Sequence, residues 1–321
     1  MDLPRMLDKC RRDQWSVDDL DWSRPPPALP RDKEEAVVQY FTDMAGIERL
    51  AGALFATQAK QERDPTLRAI FDSFVVDEER HAVVAERLAR YYDVHRYRRY
   101  EMSEALVKFR PHFLRVVELM PPEIATAYIT AGELMLDVAL LRSLDDYVGD
   151  EMSHAAMHLI NRDESRHIAI DFHMTEVYAS DEFLAERRRR PRRPLAERAA
   201  GWRALAVMLF HAQPFLKGVF LEPMDRTDPS GKRILEAFKR MQLLARKPTV
   251  ARLPFTRFML RMQEAFNHPV LGPLFGGLIL RLLGGEARAA RTLFTQEDLA
   301  RTQRMSFEEL AEEALAVKTA N

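Results

Sequence analysis

Two near-identical pentapeptides, Asp77-Glu78-Glu79-Arg80-His81 and Asp163-Glu164-Ser165-Arg166-His167, constrain this chain more than any other feature. Each contains Glu-x-x-His. Residues three apart share one face of an α-helix, so Glu78 with His81, and Glu164 with His167, are each placed to hold one metal or to help bridge two. One such tetrapeptide means little, because solvated helix faces are full of Glu/Arg/His pairs. Here each copy follows an isolated glutamate in an apolar helical stretch: Glu48 in Ala45-Gly-Ile-Glu-Arg-Leu50 and Glu133 in Thr130-Ala-Gly-Glu-Leu-Met135. Glu48 precedes Glu78 by 30 residues and Glu133 precedes Glu164 by 31, while the two halves repeat at intervals of 85 and 86. The spacing describes an internal twofold.

The surrounding pattern is helical. From Asp32 to about Gln61 apolar residues recur every three or four positions, as an amphipathic helix requires. Glu62-Arg-Asp-Pro65 ends that helix, and Pro65 suits the first turn of a second running to about Tyr97. A separating segment, 98–120, leads to a third helix from Pro121 to about Tyr147 and a fourth from Glu151 to Tyr178. With turns near positions 64 and 149, Glu48 and Glu133 each lie 16 residues before a turn, and Glu78 and Glu164 lie 14 and 15 after. At ~1.5 Å per residue all four carboxylates fall within about 3 Å of one level. Burying them together without cations is prohibitive, so metal or protons must offset their charge. Two divalent ions held by four glutamates and two histidines do so.

The expected fold is all-α: two antiparallel hairpins joined by a long crossover, the connectivity of a ferritin-like four-helix bundle, with additional C-terminal helices. We divide the chain into an irregular N-terminal arm (1–30), the di-metal bundle (31–182), an Arg/Pro-rich linker (183–194) and a C-terminal helical extension (195–321). Helices are expected there at Leu195 to Leu221 and Lys232 to Ala245, with weaker patterns at Phe255 to Asn267 and Gly276 to Leu283. The apolar stretch Pro269 to Gly285 is broken by Pro273, glycines and Arg281, so burial against protein is expected rather than a transmembrane segment.

A net charge of −1 gives no global attraction to nucleic acid. The single Cys10 excludes an intramolecular disulfide framework and any all-cysteine metal site, and Met1 to Trp15 lacks the apolar core of a signal peptide, so a cytoplasmic setting is expected.

Glu48, Glu78-x-x-His81, Glu133 and Glu164-x-x-His167 resemble the six-ligand set of the ferritin-like di-iron carboxylate family, over residues 32–180. The Asp-Glu-x-Arg-His form is similar to that of bacterial multicomponent monooxygenases. That resemblance implies two iron ions, with Asp77 and Asp163 orienting the imidazoles and Arg80 and Arg166 pairing with these aspartates. Surface salt bridging is the alternative for both pairs. Asp137 and Asp171, one turn past Glu133 and His167, break the twofold, since their counterparts are Gly52 and Ala85. Each is a candidate extra ligand, proton donor or partner for an arginine. His154, His158 and His173 fall off the ligand face, and His95, His112, His211 and His268 belong to no motif.

The family hydroxylates, N-oxygenates, desaturates, generates radicals or oxidises iron. A stored tyrosyl radical is disfavoured because Ala85 stands one turn after the first histidine. The p-aminobenzoate N-oxygenase type is similar in size and interval, but its additional histidine is Ile160 here. Acyl-carrier desaturases are similar as well. Apolar residues near the site level, Met44, Phe55, Phe71, Phe74, Leu134 and Met135, point to core or to a pocket for an organic substrate. The expected activity is an O2-dependent di-iron oxidoreductase, acting on a small or carrier-bound organic molecule and fed electrons by a ferredoxin or reductase. The Arg187 to Arg193 run is a candidate docking surface, and a homodimer is compatible with this reading. The alternatives are a non-enzymatic iron-binding or ferroxidase-type protein and a manganese/iron oxidase on the same ligands.

Overall fold

The computed structural model describes residues 1–189, 191, 193–282 and 286–319, and their side chains except at 122, 123, 125, 128, 129, 282 and 317–319. Among these residues every regular element is helical and the fold is all-α.

Four helices carry the motif glutamates and histidines: α2 (Arg31–Gln61), α3 (Pro65–Tyr92), α5 (Pro122–Met135) and α7 (Glu151–Tyr178), with α1 (Leu3–Arg12) and α4 (Glu104–Leu119) beside them. The boundaries have local causes. The Asp64 carboxylate accepts from the backbone N–H groups of Thr66 and Leu67, and Pro65 takes the first turn of α3 where no N–H is needed. Asp150 caps α7 in the same way through Ser153. Gly149, at φ +70°, adopts the left-handed conformation that ends the preceding helix α6 (Arg142–Val148).

α2 packs along α3, α5 packs along α7, and the pairs meet where α2 touches α5 and α3 touches α7. The inward faces supply Phe41, Leu54, Phe55, Phe74, Leu134 and Ile160, all nearly inaccessible. Several expectations need correction. The arm is not irregular: α1 packs on α3 and α7 and buries Cys10. The second helix stops at Tyr92, and the crossover contains α4, which packs on α2. The third helix does not run evenly to Tyr147, because Leu136–Leu141 widens into a π-helical turn before α6. Part of the Arg/Pro-rich segment is helical, in α8 (Asp181–Arg189); Arg190 and Arg192 lie outside the described residues.

The remaining chain is helical too. α9 (Leu195–Phe215) runs through a second π-helical turn, Leu216–Leu221, into α10 (Glu222–Thr227). α11 (Lys232–Ala245), α12 (Pro248–Ala251), α13 (Pro254–Asn267), α14 (Leu271–Leu282), α15 (Ala287–Ala290), α16 (Gln296–Arg304) and α17 (Phe307–Thr319) follow. α11 covers α5 and the first π-helical turn, and α17 covers α7. α9 packs along α4, although Leu195–Thr227 is long and apolar enough, by length and composition, to cross a membrane. The expectation that Pro269 to Gly285 buries against protein is not met. α14 exposes Leu274 (69 %), Phe275 (52 %) and Leu278 (61 %), while Leu283 to Gly285 lie outside the described residues.

Candidate metal centre

The structure brings Glu48 (α2), Glu78 and His81 (α3), Glu133 (α5), and Glu164 and His167 (α7) into one buried cluster, none more than 4 % exposed. Two overlapping groups emerge. One is Glu48, Glu78, His81 and Glu164; the other is Glu78, Glu133, Glu164 and His167; within each group the ligand atoms lie within 4.8 Å of one another. Glu78 and Glu164 belong to both. His81 Nδ1 is 2.9 Å from Glu164 Oε1, and His167 Nδ1 is 2.8 Å from Glu164 Oε2 and 3.2 Å from Glu78 Oε1.

These groups could hold metal ions, and their geometry fits that use. Both carboxylate oxygens of Glu48, Glu78 and Glu164, and Nδ1 of both histidines, are shielded from solvent without a properly oriented hydrogen bond. Contacts near 2.9 Å that lack hydrogen-bond direction are what ligands of one ion make: two atoms each ~2.1 Å from an octahedral centre lie about 3 Å apart. Left without cations, so many buried acceptors would be costly.

The electrostatics show the same demand for positive charge. Burial, then the neighbouring Glu164, raises the Glu48 carboxyl to about 7. Burial and the surrounding carboxylates hold Glu78 and Glu133 well above the usual carboxylate range. Glu164 goes the other way: burial opposes its charge, but His167 and His81 outweigh that and hold it well below. Burial also disfavours charged His81 and His167, yet the facing carboxylates push them up to about 10 and about 9. Apart from Glu164, these shifts run toward holding protons, on the carboxyls and the imidazoles alike, where a cation would otherwise offset the charge.

A polar layer outside the ligands is crossed between helices. His81 Nε2 faces Asp163 Oδ2 at 3.3 Å, and His167 Nε2 faces Asp77 Oδ2 at 3.6 Å, so each aspartate serves the histidine of the other pentapeptide. For His81 an Nε2–H donated to Asp163 leaves the Nδ1 lone pair pointing inward, whereas His167 Nε2 is near Asp77 but beyond hydrogen-bond distance. Arg166, fully buried, donates through Nη2 to Asp77 Oδ2 at 2.9 Å and lies 2.9 Å from Asp163 Oδ1. Arg80 spans the same two aspartates at 3.2 Å each. This is a buried network, not surface salt bridging. Burial opposes ionisation of Asp77, but His167 and Arg166 hold its carboxyl down at about 2.

Two members of this layer come from the arm. Trp15 donates its indole N–H to Asp163 Oδ2 at 2.6 Å and stacks beside His81, and Gln14 donates to Asp77 Oδ1 at 3.2 Å. A lone tryptophan in a polar stretch was their only sequence signal. On the other side, Phe74 and Phe55 pack on His167 with ring centroids 4.1 and 5.2 Å away. The twofold thus holds at the ligands and fails around them: an indole and an amide on one side, two phenyl rings on the other.

Asp137 and Asp171 are buried and raise Glu133 by their charge, but neither enters the two ligand groups. Asp137 lies on the π-helical turn that begins three residues after Glu133, a kind of distortion frequent at functional sites. The reason the twofold breaks at Gly52 is steric. A Cβ there would stand 3.1 Å from Glu78 Cβ, so any side chain at this position crowds Glu78. Gly52→Asp should therefore push Glu78 aside, destabilise the fold by roughly 1–3 kcal/mol and lower metal content, whereas Gly52→Ala needs only a small shift. Metal analysis beside thermal melts of both variants checks this.

His95 pairs with Glu34, His154 with Asp145, and His112 stacks on His211, all away from the centre. Met44, Phe55, Phe71, Phe74 and Leu134 are core, whereas Met135 lines a cavity of about 360 Å³ together with Ile47, Leu50, Leu54, Phe109 and Met208. Glu133 stands in its wall. In comparisons with protein-family models, curated proteins and solved structures, the chain matches none of them.

Proposed function

We propose that this chain is a non-haem di-iron oxygenase in which α2, α3, α5 and α7 form a ferritin-like four-helix bundle. The observation that carries the reading is the pair of ligand groups sharing Glu78 and Glu164. Two separate mononuclear sites would not share two carboxylates, whereas a dinuclear centre uses such carboxylates as bridges. Glu48 and His81 complete one position, Glu133 and His167 the other. A reduced iron pair held there supplies the electrons and open coordination positions that O2 activation requires.

The protein's own groups do the rest. Asp163 and Asp77 fix the imidazole orientations, and Arg80 and Arg166 keep those aspartates ionised. The mostly apolar cavity beside Glu133 favours an organic substrate over iron storage, because it offers a largely hydrocarbon lining. In a hydroxylation or N-oxygenation, one oxygen atom enters the substrate and the other leaves as water, consuming two electrons and two protons from outside. Desaturation instead removes two hydrogens and reduces both oxygen atoms to water with the same external supply. A ferredoxin or reductase is the proposed donor. The same ligands accept a manganese/iron pair, and metal analysis distinguishes the two.

The test is anaerobic loading with ferrous iron followed by rapid mixing with O2. About two irons per chain and oxidation confined to that pair are expected. Fewer than two metals, or oxidation of many irons per chain with mineral growth, would overturn the oxygenase reading.

A further inference from the structure

The C-terminal helices leave an apolar face uncovered. Leu274, Phe275 and Leu278 point outward on α14, which touches α13 and α9. α13 and α9 add Phe258 (44 % exposed), Trp202 (57 %) and Phe210 (78 %). Scattered exposed hydrophobics need no explanation, but several large ones on α14 and on the two helices it packs against point to an interaction site. Its charges lean positive: residues 195–215 and 254–282 hold five arginines against two glutamates, all of them exposed.

Behind this face lie two adjoining cavities. The one walled by Trp202 and Phe258, here the outer one, holds about 520 Å³ and is lined also by Arg187, Arg193, Arg198 and Glu197. It shares Leu209 and Met259 with the inner cavity, whose wall contains Glu133. Apolar surface thus leads from the exposed patch toward the ligand cluster.

We propose that the α9–α13–α14 face seats on an anionic lipid bilayer, from which the two cavities admit an apolar substrate toward Glu133. The docking surface stands on its own observations; the substrate route rests on the metal-centre reading above. Exposed aromatic and leucine side chains, on helices that carry more arginines than glutamates, suit the boundary between lipid headgroups and acyl chains, where arginine meets phosphate. A second copy of this chain fits worse. A twofold contact would bring the same arginines against one another and cover the outer cavity. The face lies on the membrane rather than crossing it, because α9 is packed along α4 and α14, at 12 residues, extends only about 18 Å.

Sedimentation of the full chain with vesicles tests this. Phosphatidylcholine vesicles containing about 30 % phosphatidylglycerol should carry the protein down, pure phosphatidylcholine vesicles should not, and binding should weaken as salt rises from about 0.1 to 0.5 M. Binding should shift tryptophan emission to the blue, an effect lost in Trp202→Phe. The double variant Leu274→Glu with Leu278→Glu, at exposed positions outside both cavities, should bind at least about tenfold more weakly with unchanged metal content and melting. No binding to anionic vesicles, or equal binding by that variant, would overturn the proposal. So would a stable dimer in sedimentation analysis that the double variant dissociates. Vesicle binding by a chain that holds no metal would leave the docking surface standing and remove the substrate route; two bound metals without vesicle binding would overturn this proposal and leave the metal-centre reading standing.

Discussion

Replacing Glu78 and Glu164 together by alanine should empty the centre of both metals, whereas Glu48→Ala or His81→Ala should weaken one position and leave the other. The asymmetry follows from sharing. Glu78 and Glu164 contribute to both ligand groups, while Glu48 and His81 occur in one. Each group keeps only two of its four residues in the double variant, too few for tight binding of a divalent ion by carboxylate and imidazole. The polypeptide itself should survive. The double variant removes two buried carboxylates from a crowded site, and Glu78 is among those whose charge burial most opposes. It also removes the ionised Glu164 that holds protons on His81 and His167, so without metal it should melt lower than wild type while still folding. The check is metal content after anaerobic loading, with the melting temperature measured on the same samples. Two metals retained per chain in the double variant would sink the assignment of these residues as bridges.

How much of this centre was legible in the sequence depends on the range of the interaction. The ligand residues were legible because an α-helix converts a spacing of three into a shared face and a hairpin converts equal distances from a turn into a common level. Both rules act within one or two helices, and Glu48, Glu78, His81, Glu133, Glu164 and His167 do converge. What lay across helices was less visible. The resemblance implies that Asp77 and Asp163 orient the imidazoles without saying which; in the structure Asp163 faces His81 and Asp77 faces His167, each across to the partner helix. Trp15 and Gln14 reach the same layer from an arm with no periodicity to mark it.

The backbone irregularities were likewise hidden. Leu136-Asp-Val-Ala-Leu-Leu141 reads as ordinary apolar helix, and widening by one residue per turn leaves no compositional trace. The crossover helix α4 carries Pro111 internally, which weakens any helical reading, but packing on α2 and α9 stabilises it in place. For α14 the apolar run was expected to be buried, yet it exposes Leu274, Phe275 and Leu278. Composition records how apolar a segment is, not which neighbours arrive to cover it.

The metal-free protein should lose stability as pH rises from about 5 to 8, and metal should abolish most of that loss. Glu48 ionises near its ordinary 4.5 when unfolded but near 7 when folded. Between those values the unfolded chain has released a proton that the folded chain still holds, so raising the pH favours unfolding. For Glu48 alone the effect is on the order of 3 kcal/mol. The histidines act in the same direction. Folded His81 and His167 keep their protons up to about 10 and about 9, so their stabilisation is complete below 6.5 and lost as the pH climbs through those values. Asp77 sets the opposite limit. Its carboxyl, held down at about 2, stabilises the fold above its ordinary 3.8 and ceases to do so as the pH falls toward 2. The chelated protein should therefore be most stable near pH 4–5 and should melt roughly 5 °C lower, or more, at pH 8 than at pH 5. Metal binds ionised carboxylates and neutral imidazoles, so it replaces those protons and gains affinity over the same range. Melts followed by circular dichroism, with chelator and with anaerobic ferrous iron, should diverge as pH rises, the loaded protein varying little. Parallel curves would mean that the buried carboxylates and imidazoles do not meet a metal at all.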